Sequence, residues 1–570
     1  MDTKINTMKI KHFLLAILSS LAFASCSFLN FDETDGLKTK EDMYRYFNTT
    51  ENMLTHVYSY IPQNLSPIGG AMRDCASDDA EFGNSAGEIQ NMNNGSWSPI
   101  KTVDSSWNLY EGIRAANSFI KEIEEVDFSR YQHESVYKNW MRKLKFFPYE
   151  ARVLRAHFFF ELARRYGDIP IPTTVLTAEE ANKLEKTKFS EIIEFIVKEC
   201  NEAAAVLPES YENEPGKQIG RITKGFALAV KSKALLYAAS KLHNPTMDKS
   251  KWVQSAQAAL DIMNLEIYQL DKSETANNVL SKEVVLMRMN NENTNFELWN
   301  FPIRFTEGRR SGNVATATFP SQNLVDAFQT QNGYPIILED TKWTSEDPGF
   351  NPEKPYDNRD PRFYRAILAN GMSFKDKTIE TFEGGADDAA VSLGGSPTGY
   401  FLRRYIQETT SFTPDNEVSN KHHWIIYRYA ETLLSYAESM ANAFPEDMNH
   451  TDNIFPYSAL WAINQVRANA DMPPIATCNY DEFIKHLQNE WRVEFAFEDH
   501  RFWDIRRWKI ADETQRELIG VKITKDAEGK LQYARNIVES RVWVDAMYLY
   551  PIPQSELFIN NNLYPQNPGW

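Results

Sequence analysis

The sequence predicts a mainly α fold, a helical-repeat scaffold that carries a loop-rich, short-strand insertion region. Three observations lead there. Apolar residues recur on a helical period through most of the chain beyond residue 40. One segment mixes small residues with large ones at a density that lets neighbouring helices approach closely. Between residues 284 and 405 the period fades, and Gly, Pro, Asn and Asp become frequent.

Taken in order, the first helix is expected over 41–61, where Met43, Phe47, Leu54 and Tyr58 share a face. A second, over 104–126, starts behind the capping-type Asp104 and runs through Trp107, Tyr110, Ile113, Ala116 and Ile120. A third, over 150–166, spaces Leu154, Phe158 and Leu162 by fours and stops at Gly167, with Pro170 beyond. The small-residue helix is 223–243, where Gly225, Ala227, Ala229, Ala234, Ala238 and Ala239 alternate with Phe226, Leu228 and Leu235. Segments 424–443, 457–470 and 481–498 complete the helical material. Paired antiparallel helices of this length suggest a TPR-like scaffold, without a clean repeat of the roughly 34-residue kind. The tract 284–405 carries Asn332-Gly333, Pro348-Gly349, Gly384-Gly385 and Gly394-Gly395. It reads as loops and short strands laid over the helices. A long aperiodic tract inside a compact body carries function more often than it links domains.

Composition narrows the class. The 570 residues hold about three to four domains' worth of material. With 42% hydrophobic and 24% charged residues the chain is an ordinary folded body, not a disordered one. Its formal net charge of −17 argues against a nucleic-acid partner, whose phosphates are neutralised by Lys and Arg. The 13 Trp and 26 Tyr leave room for aromatic rings at the surface as well as in the core.

The N-terminus reads as an address. Lys4, Lys9 and Lys11 precede an apolar run from Phe13 to Ala24, too short for a bilayer span of roughly 20 residues but suited to a secretory signal. Cys26 follows directly in a bacterial lipobox-like setting, with Phe23 where such boxes prefer Leu. Residues 1–25 are therefore expected to be a lipoprotein signal peptide, Cys26 the lipidation site, and 26–40 a lipid-anchored tether. Cys75, Cys200 and Cys478 are odd in number and far apart, so they form no disulfide framework and no CxxC metal pattern.

Catalytic templates are missing: there is no GxGxxG after a strand, no GxxxxGK[ST] and no HExxH. Gly308 to Gly312 only superficially resembles a nucleophile elbow. His422 and His423 are adjacent, not a helical turn apart, and read as surface. Glu490, Glu494 and Glu498 recur every fourth residue, a spacing that repels unless cations answer it. Arg492, Arg501, Arg506 and Arg507 are available, so a structural ion network is expected in preference to a glycosidase pair. Asp78, Asp79 and Glu81 form a second acidic cluster in an expected loop, where their carboxylates are free to accept hydrogen bonds from the hydroxyls of a ligand.

An ordered series of motifs resembles the SusD/RagB family. It includes WNLY at 107–110, EARVLRAHFFFELARRYGDIPI at 150–171, RITKG at 221–225 and NRDPR at 358–362. RYAETLLSYAE at 428–438, EWRVEFAFE at 490–498, RFWDIRRW at 501–508, YPIP at 550–553 and QNPGW at 566–570 follow. The last ends in Trp where the family commonly has Tyr. The resemblance implies a surface-exposed, lipid-anchored lipoprotein of the outer membrane, not an enzyme, with no cofactor and no metal. It would capture a glycan and pass it to a TonB-dependent transporter of the SusC kind. The alternative is a peptide-capturing RagB-type lipoprotein with the same partner, and a glycoside hydrolase ranks third. It also implies an N-terminal helical region over 41–283 and a C-terminal region over 284–570, whose part 284–405 faces the ligand. Carried over by position, the candidate ligand contacts are Asp74, Asp79, Asn94, Trp97, Trp299, Phe305 and Arg309. Trp97 is expected at the surface as a stacking ring.

The address is directly testable. Replacing Cys26 by Ala should abolish acyl labelling and release the protein from membranes, leaving its circular dichroism spectrum unchanged. Labelling equal to the parent's would show that Cys26 is not the anchor.

Overall fold

The computed structural model describes residues 39–212, 218–272, 278–310 and 316–570. Cys26 and the signal and tether segments up to residue 38 lie outside the described residues. The longer helices are α1 (Phe47–Tyr58), α2 (Leu109–Ile123), α3 (Phe147–Tyr166), α4 (Phe189–Ala204), α5 (Lys224–Ala239) and α6 (Lys249–Met263). Then come α7 (Tyr429–Ala443), α8 (Ala459–Asn469), α9 (Tyr480–Glu494) and the short α10 (Arg501–Arg507). Successive helices pack on one another from α2 through α8, and α9 lies against α7. This is the expected helical-repeat logic, in which each element buries its apolar face on its neighbours.

Local chemistry sets the boundaries. Thr223 accepts from Phe226 N–H to start α5, Ser458 from Trp461 N–H to start α8, and Asn479 from Glu482 N–H to start α9. Gly167 ends α3 at φ 71°, a conformation that costs glycine nothing. Two boundaries depart from the periodicity. Residues 424–428 form a strand and not the first turn of α7, because Trp424, Ile425 and Tyr427 pair with Val284–Arg288. Asp104 does not cap α2; its backbone is left-handed at φ 53° and its carboxylate turns inward.

The tract 284–405 holds short strands and short helices, as expected. Strand β1 (Ala80–Phe82) pairs with β3 (Thr318–Pro320), and β2 (Val284–Arg288) with β4 (Trp424–Arg428). The longest ladder is a hairpin of β5 (Glu517–Lys525) and β6 (Leu531–Ser540), which no periodicity had signalled. Helices α4 and α6 were likewise not foreseen.

Helix α3 is the axis of the core. It is buried on nearly every side, so its charged residues must be paired inside the protein. Glu150 accepts from the Arg221 Nε at 3.1 Å and from Tyr58 Oη at 2.5 Å. Arg155 reaches Glu199 at 2.6 Å, and Glu161 receives Arg164 at 2.6 Å and Arg165 at 2.9 Å. Arg165 also reaches Asp104, which accepts from Arg73 at 3.0 Å and from Tyr550 Oη at 2.9 Å. Burial alone would raise the Asp104 carboxyl, but Arg165 and Arg73 outweigh it and hold it at about 2.

The expected network on α9 exists, with different cations. Arg362 binds Glu490 at 2.5 Å and Glu494 at 2.8 Å; Arg428 binds Glu494 at 2.7 Å, Glu498 at 2.9 Å and Glu283 at 2.6 Å. Arg467 closes on Glu490 at 2.9 Å and Arg404 on Glu498 at 2.9 Å. The four arginines named from sequence go elsewhere. Arg492 and Arg501 bind Asp78, Arg492 also binds Asp79, and Arg507 binds Glu438 and Asp504. Arg506 forms no ion pair among the described residues. Its guanidinium lies 3.5 Å from the Phe502 ring centroid and 5.0 Å from that of Trp543, and burial pushes its pKa down to about 10. His422 and His423 are buried, correcting the surface expectation; His422 Nε2 lies 2.7 Å from Glu297. Cys75 and Cys200 are buried and Cys478 is half-buried, all as free thiols.

Arg428 and Arg506 therefore make a discriminating pair. Arg428→Ala leaves Glu283 without a cation and Glu494 and Glu498 with one arginine each, and should cost about 3–5 kcal/mol in urea unfolding. Arg506→Ala removes two ring contacts and one carbonyl bond and should cost about 1 kcal/mol. Equal losses would show that the network carries no special weight.

Candidate functional site

The seven candidate contacts divide by burial. Asp74 lies in the 3-10 turn Arg73–Ala76 and is buried; burial first, then Asp79 and Asp499, push its carboxyl up. Asp79 is fully buried, with Oδ1 accepting from Arg492 Nε at 2.7 Å. Its neighbour Asp78 takes Arg501 at 2.8 and 2.9 Å, and Arg492 and Arg501 hold its carboxyl at about 2 against burial. Glu81 is buried against Arg541. This acidic cluster is an internal anchor for α9 and α10, not a sugar-binding loop.

Trp97 is 3% exposed. It packs edge-on against Tyr550 at 4.7 Å and against Trp570 at 5.1 Å, so two distant motifs close over it. The surface position expected for it is corrected. Phe305 is buried as well, edge-on to Phe374 at 4.9 Å. Four of the seven side chains, Asp74, Asp79, Trp97 and Phe305, thus present almost no accessible surface to a ligand. The reason is common to all four: chain neighbours suggest each position, whereas its burial is set by segments distant in sequence, Phe374 for Phe305 and residues beyond 490 for Asp79 and Trp97.

Asn94, Trp299 and Arg309 are exposed. Asn94 follows the short helix Gln90–Asn93, and its side-chain oxygen accepts from Ser96 N at 3.0 Å and Ser96 Oγ at 2.7 Å. Its loop rests on Val542. Trp299, 46% exposed, sits on the short helix Asn295–Asn300. Its carbonyl accepts from Arg310 Nη1 at 2.6 Å and from Ala317 N at 2.8 Å. Arg310 is buried, and its other guanidinium nitrogen bonds Phe301 O and Thr316 Oγ1; Thr316 in turn donates to Gly394 O. Arg304 ties Asp387 into the same layer at 2.6 Å. A buried arginine thus fixes the backbone under Trp299 while the ring stays outside.

Polar groups follow Trp299 in the same layer, next in the chain to Arg310. Arg309 donates through Nε to Phe412 O at 3.2 Å and lies 3.4 Å from Glu417. Thr413 Oγ1 donates to Glu307 at 2.5 Å. Val391 and Leu393, both exposed, rise from the adjoining loop. An exposed indole stacks on the C–H face of a sugar ring, and neighbouring hydroxyl, carboxylate and guanidinium groups take hydroxyls. Glu307, Thr413 and Glu417 were not singled out in the sequence, because they come from loops far apart in the chain. Among the described residues no group of three or more His, Cys, Asp or Glu is arranged to hold a metal ion.

A family model described as the SusD family matches residues 281–570, just over half of the chain. The chain belongs to the SusD family. A second model, described as starch-binding associating with outer membrane, matches residues 27–236. The SusD-like protein P2 of Formosa agariphila is 24% identical over 74% of this chain and 73% of its own length. Among solved structures, a SusD-like protein from Bacteroides fragilis superposes with a TM-score of 0.74 at 23% identity, covering 93% of this chain and 99% of that one. A SusD-like carbohydrate binding protein, also from Bacteroides fragilis, gives 0.72 at 25% identity, covering 91% and 99%. The mainly α SusD fold therefore extends over nearly the whole chain.

Because Trp97 is core, Trp97→Ala should cost about 3–5 kcal/mol, the range for removing a large buried aromatic side chain. A fall of several degrees in the melting temperature, read by calorimetry, is expected. An unchanged melting temperature would return the ring to the surface.

Proposed function

We propose that this protein captures an oligosaccharide at the cell surface, held to the outer membrane through lipid on Cys26, and passes it to a TonB-dependent transporter of the SusC kind. The observation that carries the reading is Trp299, a large ring held outside by a layer whose buried Arg310 fixes the backbone beneath it. Arg309, Glu307, Thr413 and Glu417 supply the polar complement within that layer. The solved carbohydrate-binding relative supports a glycan as the ligand. The family description of the N-terminal match supports the outer-membrane address. The carboxylates that offered a hydrolytic alternative, Glu490, Glu494 and Glu498, are occupied by arginines, which supports binding without turnover.

Delivery requires release, so a dissociation constant on the order of micromolar to millimolar is expected, or about 4–8 kcal/mol. Loss of one stacking ring removes a large part of that. Trp299→Ala should weaken binding of maltoheptaose or laminarihexaose by about thirtyfold, roughly 2 kcal/mol, with the melting temperature unchanged. Isothermal calorimetry on the full chain tests this. Undiminished glycan binding would remove Trp299 from the site, and peptides bound in place of every glycan would move the protein to the peptide-capturing reading.

A further inference from the structure

A cleft lies on the N-terminal helical side, and it shares no lining residue with the Trp299 layer. Its volume is about 310 Å³. That stands at the small end of ligand pockets and suits about one or two sugar rings. Three segments far apart in the chain wall it: the start of α2, the stretch 170–184 after α3, and 556–563 near the C-terminal end.

These walls are pinned to one another. Tyr110 Oη donates to Pro170 O at 2.9 Å, and Arg114 Nη1 donates to Leu176 O at 2.6 Å. Asn117 Nδ2 donates to Pro172 O at 2.9 Å and to Thr174 O at 3.1 Å. Across the cleft, Asn560 Nδ2 donates to Leu184 O at 2.8 Å. Trp107 and Glu556 both line the cleft, and burial raises the Glu556 carboxyl. The cleft is therefore formed before any ligand arrives, which removes an ordering cost from binding.

The pinning bonds run almost wholly to backbone carbonyls and leave the chemistry of the rim uncommitted. The floor offers the half-buried rings of Trp107 and Tyr110, 5.1 Å apart and tilted by 56°. At the rim, Glu111 and Asn182 are exposed, and neither side chain makes a hydrogen bond or ion pair among the described residues. Two carboxylates, one arginine and one free amide around an indole suit a neutral ligand rich in hydroxyls. They do not suit an anion, which would face Glu111 and Glu556.

We propose that this cleft is an accessory carbohydrate subsite, with Trp107 as the stacking floor and Glu111 and Asn182 as hydroxyl partners. The proposal rests on the glycan reading of the Trp299 layer. Two separated subsites on one rigid body favour a long chain over a short one, because the second contact forms at the effective concentration set by the first.

The test labels the full-length protein with 5-fluorotryptophan and assigns the Trp107 and Trp299 fluorine resonances by Trp107→Phe and Trp299→Phe. Maltoheptaose, laminarihexaose, xylohexaose and mannohexaose serve as probes. At least one should move the Trp107 resonance in Trp299→Ala protein, and Glu111→Ala with Asn182→Ala should weaken that response at least tenfold. Both rim residues are exposed, so the double variant should fold as the parent does. If Trp299 moves and Trp107 stays still with every probe, the accessory subsite is overturned and the glycan reading stands. If neither moves, both fall. A Trp107 response to a tetrapeptide mixture alone overturns the carbohydrate assignment, as does a glycan response indifferent to the rim substitutions.

Discussion

Buried arginine–carboxylate pairing holds this fold together. Around Trp503, three guanidinium groups from two distant segments converge, with Arg164 at 4.0 Å, Arg165 at 4.9 Å and Arg73 at 5.3 Å from the ring centroid. Asp104, Glu161 and Asp499 neutralise them. Each charge has been taken out of water, a step costing several kcal/mol per ion, and geometry must recover it. Such a cluster gains less net stability than an apolar core of equal volume, but it tolerates few alternative arrangements. The positions of α3, α10 and the segment around Asp104 are fixed relative to one another by this demand. The walls of the cleft, which start at Trp107, inherit that rigidity.

The Trp299 layer uses a buried arginine without a carboxylate, for a different end. Arg310 spends its donors on the carbonyls of Leu298, Trp299 and Phe301, with no carboxylate in reach of those bonds, and burial lowers its pKa to about 10. It acts as a many-armed bracket for irregular backbone that has no sheet or helix to satisfy it. A ring on such a bracket keeps its orientation without being buried.

The scaffold was legible in the sequence where the signal is local. Periodic apolar spacing located α2, α3 and α5, Gly167 marked the end of α3, and the spacing of Glu490, Glu494 and Glu498 announced an ion network. The partners in that network were not legible. Arg362 and Arg467 approach α9 only through tertiary folding, so nearby Arg506, available in sequence, was named and proved to face aromatic rings. The segment 424–428 was read as helix because a short apolar run looks alike in both states, and pairing with Val284–Arg288 decides it. The site was the least legible part. Trp97 and Trp299 are chemically identical in a sequence, and only Tyr550 and Trp570 closing over the first tell them apart. Trp107 was assigned to helix packing, and nothing in its own neighbourhood reveals that residues 170–184 and 556–563 build a cleft against it.

The closure of Trp570 over Trp97 sets an order of events during synthesis. Arg73 meets Asp499 across 426 residues of chain, Arg501 meets Asp78 across 423, and Trp97 waits for a ring near the far end. A ribosome delivers the N-terminal helices first, with Asp104 the partner of Arg73 and with Asp78 lacking Arg492 and Arg501 until about seven-eighths of the chain is made. Contacts of such sequence separation close slowly, since the loop between them must be ordered before any gain is realised. Until then Asp78 and Trp97 lack the partners they have in the folded protein, and the C-terminal segment completes both contacts.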